Sequence, residues 1–351
     1  VASPCALVAS IMPATLSAIS NSARKGVLFK GGVHLENLSH IKAAAFDKTG
    51  TLTNGKPVVT DVIIAPHAEQ DEVIRIVAAI ENESTHSLAK ALTAYGLEQT
   101  GQSVHQVDVQ DMKTISGTGV TATVKGSLWK IGKPSLVGVD QAYEFQNGVA
   151  SRLANEGKTV VFASCDDQIV GVFALKDTIR QEAKEAIKAL KNRGIYTIML
   201  TGDNEQTAKA IAREAGIDDY IAECLPNEKV SHIKKLQEKY GHVAMIGDGI
   251  NDAPALATAN VGIAMGEGTD VALETADMVL MKNDLTKIVE STALSQRMNR
   301  IVKQNIYFSL AVIVTLILSN FFQVIDLPLG VIGHEGSTIL VILNGLRLLK
   351  S

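Results

Sequence analysis

The chain has 351 residues, with 33 basic against 37 acidic side chains, a formal net charge of -4 and three cysteines. That length admits two or three domains with a substantial core, while the charge balance excludes the basic surface of a nucleic-acid binder and any long charged tail. Cys5, Cys165 and Cys224 are odd in number, far apart and free of CxxC spacing, which excludes a disulfide framework or a Cys/His zinc module and suits a reducing compartment.

Residues 1–26 open with an uncharged run, Val1 to Ile19, closed by Arg24 and Lys25. The run is close to the ~20 residues a helix needs to span hydrocarbon. It has neither the basic start of a signal peptide nor an initiator Met, so the chain is expected to begin inside a longer protein. Residues 27–56 then carry a buried-strand signal, "AAAFDKTG", ending on Asp47. Residues 57–173 differ in character: "KPVVTDVIIA", a long helical stretch, "GVTATVKGSLWKIG" and "GKTVVFASCDDQIVGVFAL" predict a small α+β insertion with an antiparallel sheet.

Residues 174–290 return to α/β alternation. In "DTIRQEAKEAIKALKNRG", Ala183, Ile187 and Leu190 recur at helical spacing, Asp177 or Thr178 offers a cap, and Gly194 a stop. Two further apolar strands close on an Asp beside Gly, at Asp203 in "YTIMLTGD" and Asp248 in "HVAMIGDG". In an open parallel sheet the strand C-terminal ends line one edge, where ligands bind, so three carboxylates are expected to converge there. Residues 291–351 contain two membrane-length runs, Ile306 to Ile325 and Leu327 to Leu346, the second interrupted only by His334 and Glu335. Arg297, Arg300 and Lys303 before the first, and Arg347 and Lys350 after the second, place those ends and the polar middle of the chain in the cytoplasm.

A carboxylate at a strand end, followed by a turn of small hydroxyl residues, can attack a phosphoryl group, and this describes Asp47 in "DKTGTLT". Asp248, with Asp252 close behind in "GDGINDAPAL", offers oxygen ligands for Mg²⁺. Lys229 in "CLPNEK" offers a cation to the same oxygens, and Thr201 and Gly202 hydrogen bonds beside Asp203. One strand-end Asp is ordinarily a helix cap; the three motifs in this order are far more specific.

With these motifs the chain resembles the P-type ATPases, ion pumps of the haloacid dehalogenase superfamily that form an aspartyl phosphate from ATP. The resemblance implies an α/β fold: a haloacid-dehalogenase-like, Rossmann-type phosphorylation domain (27–56 and 174–290), an inserted α+β nucleotide-binding domain (57–173), and transmembrane α-helices (1–26 and 291–351). It makes Asp47 the phosphorylated residue and Thr49 a phosphate and Mg²⁺ contact through its backbone. Asp248 becomes the Mg²⁺ ligand, Lys229 the phosphate-side cation, and Asp177 with Arg180 in "KDTIR" the DxxR of an interdomain hinge. Soluble relatives usually carry a second Asp, as general acid/base, where this chain has Thr49; without it the aspartyl phosphate should persist, which suits a pump.

"ESTHSLAKA" followed by "SGTGV" is similar to the SEHPLA and GxG pair of the heavy-metal branch, and implies nucleotide contacts at Glu81, His86, Gly117 and Gly119. Thr85 stands for the usual Glu and Ser87 for the usual Pro. "SPC" at the start and "HEGST" in the last run resemble the SPC and HEGGT motifs of the subgroup associated with cobalt, zinc and similar ions, with Ser337 in place of the second Gly. Ser3, Cys5, His334, Glu335 and Thr338 are the implied ligands of the transported metal. Pro4 would free a backbone carbonyl nearby, and ionisable groups in a membrane core are costly enough to mark a site. A mixed thiolate, imidazole, carboxylate and hydroxyl set favours Zn²⁺, Co²⁺ or Cd²⁺ over Cu⁺.

The expectation is the C-terminal portion of a multi-pass metal pump, driving efflux with ATP and Mg²⁺, its soluble domains cytoplasmic. The family's actuator domain and its TGE motif, together with the earlier membrane helices, would lie in the missing N-terminal part. The rivals are a membrane-tethered phosphatase of the same superfamily, disfavoured by Thr49, and a non-transporting nucleotide- or metal-binding fragment, disfavoured by the intact motif set.

Overall fold

The computed structural model describes residues 5–84, 86–322 and 327–350. In chain order the strands are β1 (Val27–Phe29), β2 (Ala43–Asp47), β3 (Val58–Ile64), β4 (Val109–Ile115), β5 (Gly119–Val124), β6 (Ser127–Gly132), β7 (Thr159–Cys165), β8 (Gln168–Lys176), β9 (Tyr196–Leu200), β10 (Asp219–Ile221), β11 (Val243–Gly247), β12 (Val261–Met265) and β13 (Met278–Leu280). They form a seven-stranded sheet ordered β1-β13-β12-β11-β2-β9-β10 and a six-stranded sheet ordered β3-β8-β7-β6-β5-β4. By Cα proximity the chain divides into two compact units, one of Val1–Ala45, Lys188–Tyr196 and Val230–Ser351, the other of Phe46–Ile187 and Thr197–Lys229.

In the first unit β11, β12 and β13 run parallel, and short β1 pairs antiparallel with β13. Strand β11 is buried throughout, which is why "VAMIG" reads as a continuous apolar run rather than an alternation. The same unit holds the helices Cys5–Arg24, Thr286–Phe321 and Leu327–Leu346. Among the described residues, two helices are long and apolar enough to cross a membrane, Thr286–Phe321 and Pro328–Lys350. The apolar run that begins at Ile306 thus forms the second half of a 36-residue helix, whose first half is anchored by buried Ile288, Leu294, Met298 and Ile301.

Small and polar residues bring the three helices together. A Cβ on Gly345 would stand 2.9 Å from the backbone nitrogen of Ala14, so only glycine admits that approach. Buried Asn305 donates to the carbonyls of Ser10 and Val341 at 3.3 and 3.1 Å and accepts from Asn344 at 2.8 Å, while the Ser10 and Ser309 hydroxyls meet at 3.1 Å. Interhelical hydrogen bonds and close backbones of this kind hold small-residue helix interfaces together.

The second unit contains the expected antiparallel sheet, covered on both faces. The alternation along β7 explains this: Val161 and Ala163 join Val73, Ile74, Val77 and Ile80 of helix Gln70–Glu81 in one core, whereas Val160 and Phe162 join Val149 and Leu153 of helix Val149–Asn155 in another. The helix predicted after residue 177 spans Gln181–Asn192, and Gly194, at φ +73°, follows it. Its cap differs from the expectation. Asp177 accepts from the backbone N–H of Gly55 at 3.0 Å and Thr178 from the Asn54 amide at 2.7 Å, so both side chains serve the loop after β2 instead.

Candidate active site

Asp47 closes the buried strand β2 at 9 % exposure, and the chain then makes one tight turn, Lys48–Leu52. Thr49 is extended within that turn (φ -74°, ψ 130°), and Gly50 takes a left-handed conformation (φ 73°) that a side chain would strain. Lys229, 5 % exposed at the start of the helix Pro226–Tyr240, donates to Asp47 Oδ1 at 2.5 Å. The Thr51 hydroxyl is buried with no hydrogen-bond partner, four residues from Asp47. A buried orphan donor is costly and marks a place where a ligand would complete the bonding.

Arg180 and Asp177 fix this turn. Arg180 donates to the carbonyls of Gly50 and Thr53 at 3.1 and 2.9 Å, its N–H bonds the Leu52 carbonyl, and Asp177 holds Gly55. The DxxR pair therefore clamps the chain that follows Asp47. At the end of β9, the Thr201 hydroxyl accepts from the Asp203 N–H at 3.2 Å, and Asp203 pairs with Lys48 at 2.6 Å. Thr159 Oγ1 accepts from Lys48 at 3.3 Å, and Lys133 donates to the Gly202 carbonyl at 2.7 Å. Lys48, Thr159, Lys133 and Thr51 were not singled out from the sequence. Lys48 and Thr51 stand inside the DKTGT motif, which was the available signal; nothing local marks Thr159 or Lys133, since folding alone brings them there.

Asp248 follows β11, and buried Asp252 lies in the next turn, accepting from the Gly249 N–H at 3.3 Å. A Cβ on Gly247 would fall 2.7 Å from that of Asp252, so the GDG sequence makes room for the second carboxylate. The Asp248 and Asp252 carboxylates, four residues apart and within one unit, are hard oxygen donors of the kind a small divalent cation such as Mg²⁺ takes.

His86 caps the helix Ser87–Thr100 through Nδ1, which accepts from the Leu88 N–H at 3.2 Å. The proton of the neutral ring therefore sits on Nε2. Its pKa is lowered, first by partial desolvation of the ring and then by the charge of Lys48, with Lys133 adding to the effect and Asp203 opposing it. His86 is thus held neutral within electrostatic reach of the residue beside Asp47. Glu81, 9 % exposed at the end of its helix, has its pKa pushed up to about 7 by burial. Gly117 is left-handed (φ +74°), while Gly119 lies opposite Gly132 in the β5/β6 ladder and has no space for a side chain, its Cβ position being 2.2 Å from the Ile131 carbonyl.

The residues expected to hold the metal are less assembled. Ser3 lies outside the described residues, as does the side chain of Cys5, whose backbone begins the first helix. His334 is half-buried, Glu335 is exposed, and the hydroxyls of Ser337 and Thr338 both donate to the His334 carbonyl, at 2.7 and 3.1 Å.

Comparison with known proteins agrees with this geometry. The haloacid dehalogenase-like hydrolase family matches residues 41–260, more than half of the chain. A zinc-transporting ATPase of Bacillus subtilis is 59% identical over all of this chain and 54% of its own length; a cadmium-transporting ATPase of Staphylococcus aureus is 44% identical over 99% and 48%. The chain spans about half the length of the curated relatives it matches. Among solved structures, a zinc-transporting PIB-type ATPase in the E2.Pi state superposes with a TM-score of 0.72 at 39% identity, over 99% of this chain and 56% of that one. The catalytic domain of the CPx-ATPase CopB-B superposes with a TM-score of 0.62 at 31% identity, over 76% of this chain and 95% of that domain. The chain belongs to the haloacid dehalogenase-like hydrolases and, within them, to the P-type ATPases.

Proposed function

We propose that this chain is the ATP-consuming and C-terminal membrane portion of a pump that exports a divalent transition metal, Zn²⁺, Co²⁺ or Cd²⁺, through an aspartyl phosphate on Asp47. The observation that carries the reading is the pairing of buried Asp47 with Lys229: a carboxylate and a cation in contact, with a spare donor, the partnerless Thr51 hydroxyl, four residues along the chain. An Asp47 oxygen forms a bond to the γ-phosphorus of ATP as the bond from that phosphorus to the β-phosphate oxygen breaks, and ADP leaves with the electron pair. Lys229 meets the charge on the phosphoryl oxygens. Mg²⁺, held by Asp47, Asp248, Asp252 and the Thr49 carbonyl, would supply further neutralisation when bound. Thr49 is no base for water, so the acyl phosphate survives long enough for a conformational change.

The nucleotide reaches Asp47 from the segment 57–173, with Glu81 and neutral His86 at its base or phosphates and Gly117 and Gly119 in the adjoining turn. Lys48, donating to Thr159 Oγ1 at 3.3 Å, and Lys133, donating to the Gly202 carbonyl at 2.7 Å, link that segment to the phosphorylation turn and the loop after β9, with Asp177 and Arg180 securing the point where the domains hinge. The helices in 1–26 and 291–351 lie in the bilayer, and Ser3, Cys5, His334, Glu335 and Thr338 take the metal as cargo within a multi-pass assembly in the plasma membrane, completed by the rest of the pump. The test is labelling of the full-length protein with γ-phosphate-labelled ATP. A hydroxylamine-sensitive label is expected on the wild type and none on Asp47→Asn; an Asp47→Asn protein that labels normally ends this reading.

A further inference from the structure

The helix Thr286–Phe321 carries a stripe that the transport reading leaves unused. Gln296, Asn299, Arg300, Lys303, Gln304 and Tyr307 recur at intervals of three and four residues and so share one face. With Ser39 and His40 of the turn before β2 they line a groove of about 380 Å³. All eight side chains can donate a hydrogen bond and none is a carboxylate. The Asn299 amide fixes the wall, donating to Ser39 Oγ at 2.9 Å and meeting His40 Nε2 at 3.1 Å. Among the described residues no ion pair involves Arg300 or Lys303, which leaves a concave, cationic, donor-rich surface without a carboxylate.

The same face changes character at Tyr307. Beyond it come Leu310, Val314, Ile317 and Leu318, at 44, 54, 56 and 51 % exposure, in the apolar half of the helix. Tyr307 itself is 72 % exposed, at the position where a ring with a polar tip is favoured in a membrane interface. Lys303 and Arg300 precede Ile306 by three and six residues, or about 4.5 and 9 Å along the axis. The headgroup layer is roughly 5–8 Å deep on each side of a bilayer. Cations that merely orient a helix need no converging neutral donors and no concave wall.

We propose that this groove seats the phosphodiester headgroup of an anionic phospholipid of the cytoplasmic leaflet, with an acyl chain lying along Leu310, Val314 and Leu318. The proposal rests on the reading that this helix crosses the bilayer. A free phosphate would use the donors but not the apolar continuation of the stripe, which is why the lipid is the occupant.

The test titrates phosphatidylglycerol and phosphatidylcholine into the full-length protein in detergent and counts bound lipid by native mass spectrometry. Each juxtamembrane cation near an anionic surface is worth roughly fivefold in binding, so Arg300→Gln/Lys303→Gln is expected to weaken phosphatidylglycerol by about 25-fold and leave phosphatidylcholine unchanged. Asn299→Ala/Gln304→Ala, which keeps the charge, is expected to weaken it severalfold, and Arg297→Gln, off the groove, to weaken it less than Arg300→Gln does. Equal losses in Arg297→Gln and Arg300→Gln, or no loss in the neutral pair, would reduce the groove to general surface charge and overturn the proposal. Displacement of phosphatidylglycerol by millimolar inorganic phosphate would overturn it in favour of a soluble anion. Flotation with phosphatidylcholine vesicles separates the two claims: a protein that fails to float refutes the membrane-spanning reading itself, whereas one that floats but ignores phosphatidylglycerol refutes only the lipid site.

Discussion

The two motif regions of this chain are built on opposite principles. Around Asp47 every group is placed by backbone: the ends of β2 and β9 deliver Asp47 and Thr201, a turn fixed by Arg180 delivers Thr49 and Thr51, and Lys229 arrives at a helix start. Around His334 the groups sit on a helix face, where spacing along the chain gives direction but no partner. Ser337 and Thr338 consequently bond the His334 carbonyl one turn back, and Glu335 stands exposed. A strand-end site is assembled by its own sheet, whereas a helix-face site waits for neighbours to give its side chains a common centre.

Lys229→Met is expected to cut phosphate labelling by on the order of 10²-fold and to destabilise the fold by about 3 kcal/mol, because Asp47 would remain as a buried charge without its cation. Thermal melts alongside the labelling assay check this; a Met variant that labels like wild type would mean the strand-end site does not depend on that pair. The helix-face region is sharpened by His334→Ala and Glu335→Gln in the full-length protein. Stimulation of ATP hydrolysis by Zn²⁺, Co²⁺ or Cd²⁺ is expected to fall by on the order of 10- to 100-fold, with the ATP concentration dependence unmoved. Unchanged stimulation in both variants would remove these residues from the cargo site.

The last expected effect concerns Glu81 and has a defined sign. Its folded pKa, about 7, lies above the ordinary 4.5, so its favourable contribution is complete below pH 4.5 and is lost as pH rises through 7. Glu81→Gln is free of that dependence. Relative to wild type, the variant should gain about 2 to 3 kcal/mol of stability between pH 5 and pH 8, read as the difference between paired melting curves. A difference that stays flat with pH would show that burial does not hold this carboxyl protonated.

Much of the strand-end site was legible because its residues sit in short motifs at the ends of apolar runs, and a buried parallel strand writes itself as an uninterrupted apolar run. The antiparallel insertion was legible for the complementary reason, since alternating side chains along "TVVFASC" fill two cores. The cap assigned to Asp177 or Thr178 was misread because a nearby acceptor satisfies local helix rules equally well, and the competing claim came from Asn54 and Gly55, over a hundred residues earlier.

The elements, and the place of Asp47, Asp203 and Asp248 at the ends of apolar runs, follow from the sequence alone, because each is written in local periodicity or in residue types at fixed spacing. Only the tertiary structure decided that Lys48 pairs with Asp203, that Lys133 reaches Gly202, that the DxxR pair clamps the turn after Asp47, and that polar side chains from two stretches of chain make one groove beside the long helix. Those are contacts between residues dozens to hundreds of positions apart, and no local preference encodes which distant partner a side chain will meet.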